Sequence, residues 1–352
     1  MDWDFVRSVT SMRLMAELGT DHGLPLQTCL DGTGIKEHDL RDPSVVVSAR
    51  QELQLITNLV EHLGHIPTLG IEAGKRYHFT AFGALGFAMV SCPNALSAMD
   101  IALRYFHLTF AFTRFSVSQH GDHTHVTIDD GAVPDSLRAF VVARDTSALI
   151  TVQRDLFPVK PALIELHFSI SDPVTIDGYE DFYRVRPEFN APTNLAILNT
   201  EALMEPLTQA NELALKAAED QCRKMLERYR ARAGWSAKVR ELLISHPGNM
   251  PDMDTLAASL CMTPRTLRRR LIDEGTTFLK LRDEVRYALA KEFLCECVLS
   301  VEQISDRLGY VDPTSFINAF KRWTGETPLA YRKRGLSTGA GAVHYANTLR
   351  KP

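Results

Sequence analysis

Arg265, Thr266, Arg268, Arg269 and Arg270 crowd one short segment, and Thr314, Ser315, Asn318, Lys321 and Arg322 crowd another further along the chain. These side chains are poor at making or breaking bonds but good at reading bases. A guanidinium forks onto guanine O6 and N7, and an Asn amide matches adenine N6 and N7. Hydroxyl and ammonium groups serve phosphates. The chemistry to expect is recognition of double-stranded DNA, with Arg265, Arg268 and Arg269 in the major groove and Arg268 the best candidate for a base. Thr314, Ser315 and Asn318 would take the same role one helical turn away, about 34 Å along the duplex. Arg270, Lys321 and Arg322 suit phosphates, or bury their stems on the core.

What positions these residues is a helix–turn–helix pattern written twice. Leu260 and Leu308 are 48 residues apart, and Leu267/Phe316 and Leu271/Phe320 are each 49 apart. In each copy a small residue, Ala257 or Ser305, sits where two helices must cross. Thr263 and Asp312 are N-caps, whose side-chain oxygens accept a free amide of the next turn. Pro264 and Pro313 follow at the first helical position, where a missing N–H costs nothing. Leu267/Leu271 and Phe316/Phe320 are i, i+4 pairs facing inward, which leaves the basic and polar side chains outside. Two units on one polypeptide can read two turns of groove without a partner chain.

The net charge of −4 hides an asymmetry. Residues 236–334 hold 16 Lys+Arg against 13 Asp+Glu, a surplus of +3, whereas residues 1–235 carry −9 and residues 335–352 carry +2. A basic segment beside an acidic one fits a polyanion binder fused to something else. Met1 is followed by Asp2 and Asp4 rather than a basic and apolar leader, so a cytoplasmic protein is expected. No apolar run is long enough for a membrane span. The cysteines (Cys29, Cys92, Cys222, Cys261, Cys295, Cys297) lack metal-finger spacing and read as reduced thiols. There is no nucleophile elbow, helical pair of His ligands or Walker loop, so no catalytic site and no cofactor are expected.

The fold class that follows is multidomain α+β. Residues 1–235 form a mixed effector-binding and dimerisation domain, and residues 236–334 an all-α DNA-binding domain. Residues 335–352, with Gly335, Gly339 and Gly341, read as a disordered tail. Within the first domain, residues 1–78 read as helical, with amphipathic stretches at 4–18 and 44–63, and residues 79–200 as α+β. The expected order is a strand at 85–90, a helix from Pro93, strands at 107–117 and 123–129, and a helix at 134–154. After Pro158 and Pro161 come a strand at 162–169, a helix near 173–183, and strands near 185–189 and 194–198. That order suggests tandem strand–helix–strand–strand units around a pseudo-twofold axis with a ligand cleft between them. A long amphipathic helix over 201–232 closes the domain, with a hinge near Ala233-Gly234.

Phe79, Phe82, Phe87, Phe106 and Phe112, with Phe110 and Phe115, make an aromatic-rich stretch that reads as core or as the wall of an apolar effector pocket suited to a fatty or aromatic acid. His120, Asp122, His123 and His125 read as a polar hairpin tip, with a metal-responsive switch as the alternative. A further alternative is a drug-binding or enzyme-like cleft to which DNA binding is secondary.

The C-terminal segment resembles the AraC/XylS family of bacterial transcription regulators. The resemblance is carried by Gly309-Tyr310-Val311-Asp312-Pro313-Thr314-Ser315-Phe316, by Phe320 through Pro328, and by Tyr331-Arg332. The first unit fits through Thr263 to Leu271 and Gly275 to Phe278. The N-terminal part resembles the domain named arabinose-binding in this family, through Leu30 to Gly34, Gly83 to Ala88, Arg104-Tyr105 and Leu203 to Leu207. The family's sugar-binding cupin pattern is absent, which argues against arabinose itself. The resemblance implies a homodimer, a small-molecule effector and activation through RNA polymerase. Where the family usually places Arg in the second recognition helix, this chain has Ile317-Asn318-Ala319, which puts the weight of the second unit in question.

Overall fold

The computed structural model describes residues 5–156, 162–173, 176–232, 234–295 and 299–337. The chain forms two compact units, one over 5–232 and one that follows Arg232. Met1, Asp2, Asp4, Pro158, Pro161 and Cys297 lie outside the described residues.

The first unit opens with β1 (Val6–Ser8), α1 (Thr10–Asp21), α2 (Leu26–Leu30), β2 (Val46–Ser48) and α3 (Ala49–Leu63). The region expected to be wholly helical thus contains a small antiparallel ribbon, with Arg7 opposite Val47. The helices of both expected stretches start later than their apolar pattern does. Ser48 explains one boundary, since its hydroxyl accepts from Gln51 N and the Gln51 side chain returns to the Ser48 amide, a capping box.

Next come α4 (Leu69–Gly74), α5 (Ala84–Val90), α6 (Ala95–Arg104), β3 (Arg114–His120), β4 (His123–Asp129), α7 (Asp135–Leu156), β5 (Leu163–His167), α8 (Asp177–Tyr183), β6 (Asn194–Asn199), α9 (Thr200–Met204) and α10 (Glu212–Arg232). The sheet is antiparallel in the order β3-β4-β6-β5. The tandem units expected from the sequence do not form, because residues 85–90 are helical. Every residue of 85–90 is buried except Phe87, which is 53% exposed, so the two-residue alternation of a half-buried strand is broken. A short apolar run fits either element, and here tertiary packing decides.

Two other departures have local causes. The strand expected over 107–117 begins only at Arg114 because side chains take the preceding backbone groups. Asp145 Oδ2 accepts from Phe112 N and Thr113 N, both at 2.8 Å, and the Phe110 carbonyl accepts from Arg7 and Arg144. The helix expected over 201–232 is interrupted at Pro206. Proline lacks the N–H and disfavours helical backbone before it, and Glu205 accordingly has ψ 136°. Near 185–189 there is a bridge between His167 and Glu188 instead of a strand.

The centre of this unit is ionic. Arg7, Glu52, Arg144 and Asp145 are all buried, with Arg7–Glu52 at 3.2 Å, Arg144–Glu52 at 3.3 Å and Arg144–Asp145 at 2.7 Å. The guanidinium carbons of Arg7 and Arg144 also lie 4.5 and 5.0 Å from the Phe112 ring centroid. Burial depresses Arg7 below its ordinary value despite Glu52, whereas in Arg144 the opposing burial is outweighed by Asp145 and its neighbours. Helix α7 also packs closely on α4, and glycine permits that: a Cβ at Gly74 would fall 1.9 Å from Ser147 Oγ and 2.5 Å from the Arg144 carbonyl oxygen.

The second unit contains α11 (Trp235–Ile244), α12 (Met253–Ser259), α13 (Pro264–Asp273), α14 (Phe278–Cys295), α15 (Val301–Arg307), α16 (Pro313–Thr324) and α17 (Pro328–Ser337). Helix α17 runs on through residues 335–337, part of the expected disordered tail; residues 338–352 lie outside the described residues. Val239, Leu243, Leu256, Leu267, Leu271, Leu281 and Val285 form one core, and Leu294, Ile304, Leu308, Phe316 and Phe320 a second. Helix α14 contributes to both. Arg332, from the family-like Tyr331-Arg332, donates to the Leu294 and Leu299 carbonyls and closes the C-terminal end of that helix.

The two turns differ in the residue they place in the left-handed conformation. Gly309 has φ +68° after α15, whereas Cys261, an exposed free thiol, adopts φ +55° after α12.

Two stability changes follow. Arg144→Met strands the Glu52 and Asp145 carboxylates, and urea unfolding should show a loss of about 3–5 kcal/mol; a loss under ~1 kcal/mol, as for an exposed pair, would mean the cluster is solvated. Cys261→Gly relieves the left-handed strain and should raise the stability of the second unit by about 1 kcal/mol; a decrease in the urea midpoint would contradict the strain.

Candidate nucleic-acid interface and ligand cavity

Both candidate reading helices are built as their sequences require. Thr263 Oγ1 accepts from Thr266 N at 3.2 Å, Asp312 Oδ1 accepts from Ser315 N at 2.8 Å, and each proline occupies the first turn. The Ser315 hydroxyl and amide bonds hold the Asp312 carboxyl below its usual range. Leu267, Leu271, Phe316 and Phe320 are fully buried, as are the small crossing residues Ala257 and Ser305.

The outward side chains divide into free and engaged groups. Arg265, Arg268 and Arg269 are exposed, and among the described residues no carboxylate pairs with them. Arg270 is also exposed, but its guanidinium carbon lies 4.5 Å from the Trp235 ring centroid, and Lys238 approaches the same ring at 4.5 Å. Thr266 is half-buried, with its hydroxyl 2.9 Å from that of Thr263. In the second helix Thr314, Asn318 and Lys321 are exposed, Ser315 Oγ donates to Asp312 Oδ2 at 2.7 Å, and Arg322 pairs with Asp283 at 2.9 Å. The first helix therefore presents three uncommitted guanidiniums, while the second presents a hydroxyl, an amide and one ammonium.

Sequence reasoning passed over Val311, which is fully exposed immediately before the Asp312 cap. An apolar residue there usually staples onto the fourth helical position, here Phe316, so its exposure had no sequence signal. It also passed over Glu274. That carboxylate, just past α13, accepts from Trp235 N at 2.7 Å and from Ser236 N at 2.8 Å, and so caps α11.

In the first unit a cavity of about 140 Å³ lies between α6, α7 and the sheet. Phe82 and Phe106, named from the sequence, line it, with Phe110 and Phe115 beside them. The other three lie elsewhere. Phe87 projects outward, Phe79 packs with α5 and α10, and Phe112 is fully buried against Arg7 and Arg144. Tyr77, Arg144 and Asp145 bring the edge of the ionic cluster to the wall, and burial pushes the Tyr77 phenol up to about 12.

The His120–His123–His125 tip is a β3–β4 hairpin, with the His120 and His125 rings 4.4 Å apart. Burial, then the two neighbouring imidazoles, holds His125 below its ordinary value. Among the described residues no group of three or more His, Cys, Asp or Glu is placed to hold a metal ion, and no helix is long and apolar enough to cross a membrane.

Comparison with known proteins bears on these two sites. Residues 23–207 match the family model described as the arabinose-binding domain of AraC transcription regulator, and residues 256–334 match a helix-turn-helix domain model. The chain is 33% identical over 337 residues to an uncharacterized HTH-type transcriptional regulator of Mycobacterium tuberculosis, covering 93% of this chain and 96% of that one. It is 27% identical over 319 residues to the ornithine utilization regulator of Pseudomonas aeruginosa, covering 91% and 94%. Among solved structures, the transcriptional regulator CdpR of Pseudomonas aeruginosa aligns with a TM-score of 0.46 at 25% identity, over 92% and 98% of the two chains. With a matched N-terminal domain ahead of its duplicated helix–turn–helix unit, this chain belongs to the AraC family of DNA-binding transcription regulators.

Proposed function

We propose that the protein is an effector-controlled activator whose helices α13 and α16 enter successive major grooves of an operator. The observation that carries this reading is the set of three exposed, unpaired arginines on the N-capped helix α13. Arg268 reads a base edge, and Arg265 and Arg269 flank it on bases or phosphates. Arg270, stacked on Trp235, serves structure first. In α16, Asn318 reads adenine, while Thr314 and Lys321 position the backbone. The second helix adjusts specificity more than affinity, because Arg322 is already committed to Asp283.

The cavity of the first unit supports control by a small molecule that shifts the balance between DNA-competent and incompetent arrangements. Phe82 and Phe106 are the effector contacts retained from the aromatic stretch; Phe79, Phe87 and Phe112 do not reach the cavity. Activation through RNA polymerase, a homodimer and a cytoplasmic location accompany this reading.

An operator selected from a random duplex pool gives the test. At fixed salt, Arg268→Ala should lose about 1–3 kcal/mol of operator affinity and relax preference at one base pair. Arg270→Ala should retain the wild-type base preference. An Arg268→Ala protein that kept both affinity and preference would remove Arg268 from the reading surface.

A further inference from the structure

Building on the proposal that residues 5–232 hold the effector, we infer that the cavity takes an uncharged, largely apolar ligand of the size of a small substituted aromatic ring, anchored by one hydrogen bond to Gln153. The volume, about 140 Å³, is close to that of cavities that admit a single aromatic ring.

Charge decides the class. Arg144 and Asp145 are the ionised side chains at the wall, and behind them stand Arg7 and Glu52. Two cations face two anions, every one of them already paired within 3.3 Å. The Asp145 carboxylate also accepts two backbone amides and the Thr113 hydroxyl. A ligand carboxylate would meet Asp145 and Glu52 along with the arginines, and a ligand ammonium would meet the arginines along with the acids. Neither finds an uncommitted counter-charge, and an unpaired charge against an apolar wall is strongly disfavoured. The acid expected from the aromatic stretch is therefore replaced by a neutral molecule, and an amino acid does not carry over from the name of the ornithine utilization regulator.

One polar group remains. The Tyr77 hydroxyl contacts Ser11 Oγ at 2.6 Å, and Thr109 Oγ1 donates to the Phe106 carbonyl at 2.7 Å. Gln153 lines the cavity from α7, is half-buried, and among the described residues its amide has no hydrogen-bond partner. A neutral carbonyl, amide or hydroxyl on the ligand would satisfy it at no electrostatic cost.

The test uses one skeleton in three charge states. Phenylacetamide, phenylacetate and 2-phenylethylamine are titrated into the full chain by ligand-observed NMR and calorimetry at pH 7. Phenylacetamide should bind about tenfold or more tightly than either charged partner, and Gln153→Leu should weaken it about five- to twentyfold. Ala148→Phe should abolish binding by filling the wall, with circular dichroism reporting the fold; Gln153→Leu nearly preserves volume and keeps the test informative should that variant unfold. Equal or tighter binding of the acid or amine, or no binding of the amide, overturns the inference. Operator affinity measured with and without phenylacetamide separates the two readings. Amide binding with unchanged DNA affinity keeps the ligand class and removes the effector role.

Discussion

The first unit depends on keeping four charges out of water at once. Arg7 comes from β1, Glu52 from α3, and Arg144 and Asp145 from α7, so the pairing fixes three elements far apart in sequence. Replacing such a group with apolar residues need not destabilise a protein, but removing one member leaves an uncompensated buried charge. The cluster therefore contributes specificity of arrangement more than net stability. It also draws in the backbone of residues 110–113, shortens β3, and finishes one end of the cavity.

The DNA-binding unit was largely legible in the sequence because its signals are local. A cap, a proline and an i, i+4 apolar pair lie within ten or so residues, and Thr263-Pro264 and Asp312-Pro313 do what those residue types do at a helix start. The first unit was legible in class but not in detail. No local pattern reveals that Asp145 will take the amides of Phe112 and Thr113, so the start of β3 could not be read. Phe112 looked like a cavity wall and is a platform for two guanidiniums. The break at Pro206 was visible as a proline, and the apolar spacing on either side concealed it. Gln153 carries no sequence signal, since an isolated glutamine on a helix usually faces solvent.

The asymmetry between the two candidate reading helices extends beyond the missing arginine. The first turn holds an exposed cysteine in a left-handed conformation, and its helix is tied through Arg270–Trp235 and Glu274 to the start of α11. The second turn has the unstrained glycine, and its helix is tied through Arg322–Asp283 to α14. Helix α13 is thus joined to the start of α11, where the unit begins, and α16 to the unit's own spine.

That spine has a consequence for the DNA. Helix α14 lends Leu281 and Val285 to one core and Leu294 to the other, and Arg286 reaches from it to the Gly309 carbonyl at 3.1 Å. Helices α13 and α16 are thereby braced on one common helix through its two cores. With α13 and α16 as the proposed reading helices, a target whose half-sites are spaced or phased differently must bend or twist to meet both. The energy of that deformation depends on base steps the protein never touches. Sequence selectivity would then reside partly in the stiffness of the intervening duplex, set by a helix that makes no base contact itself.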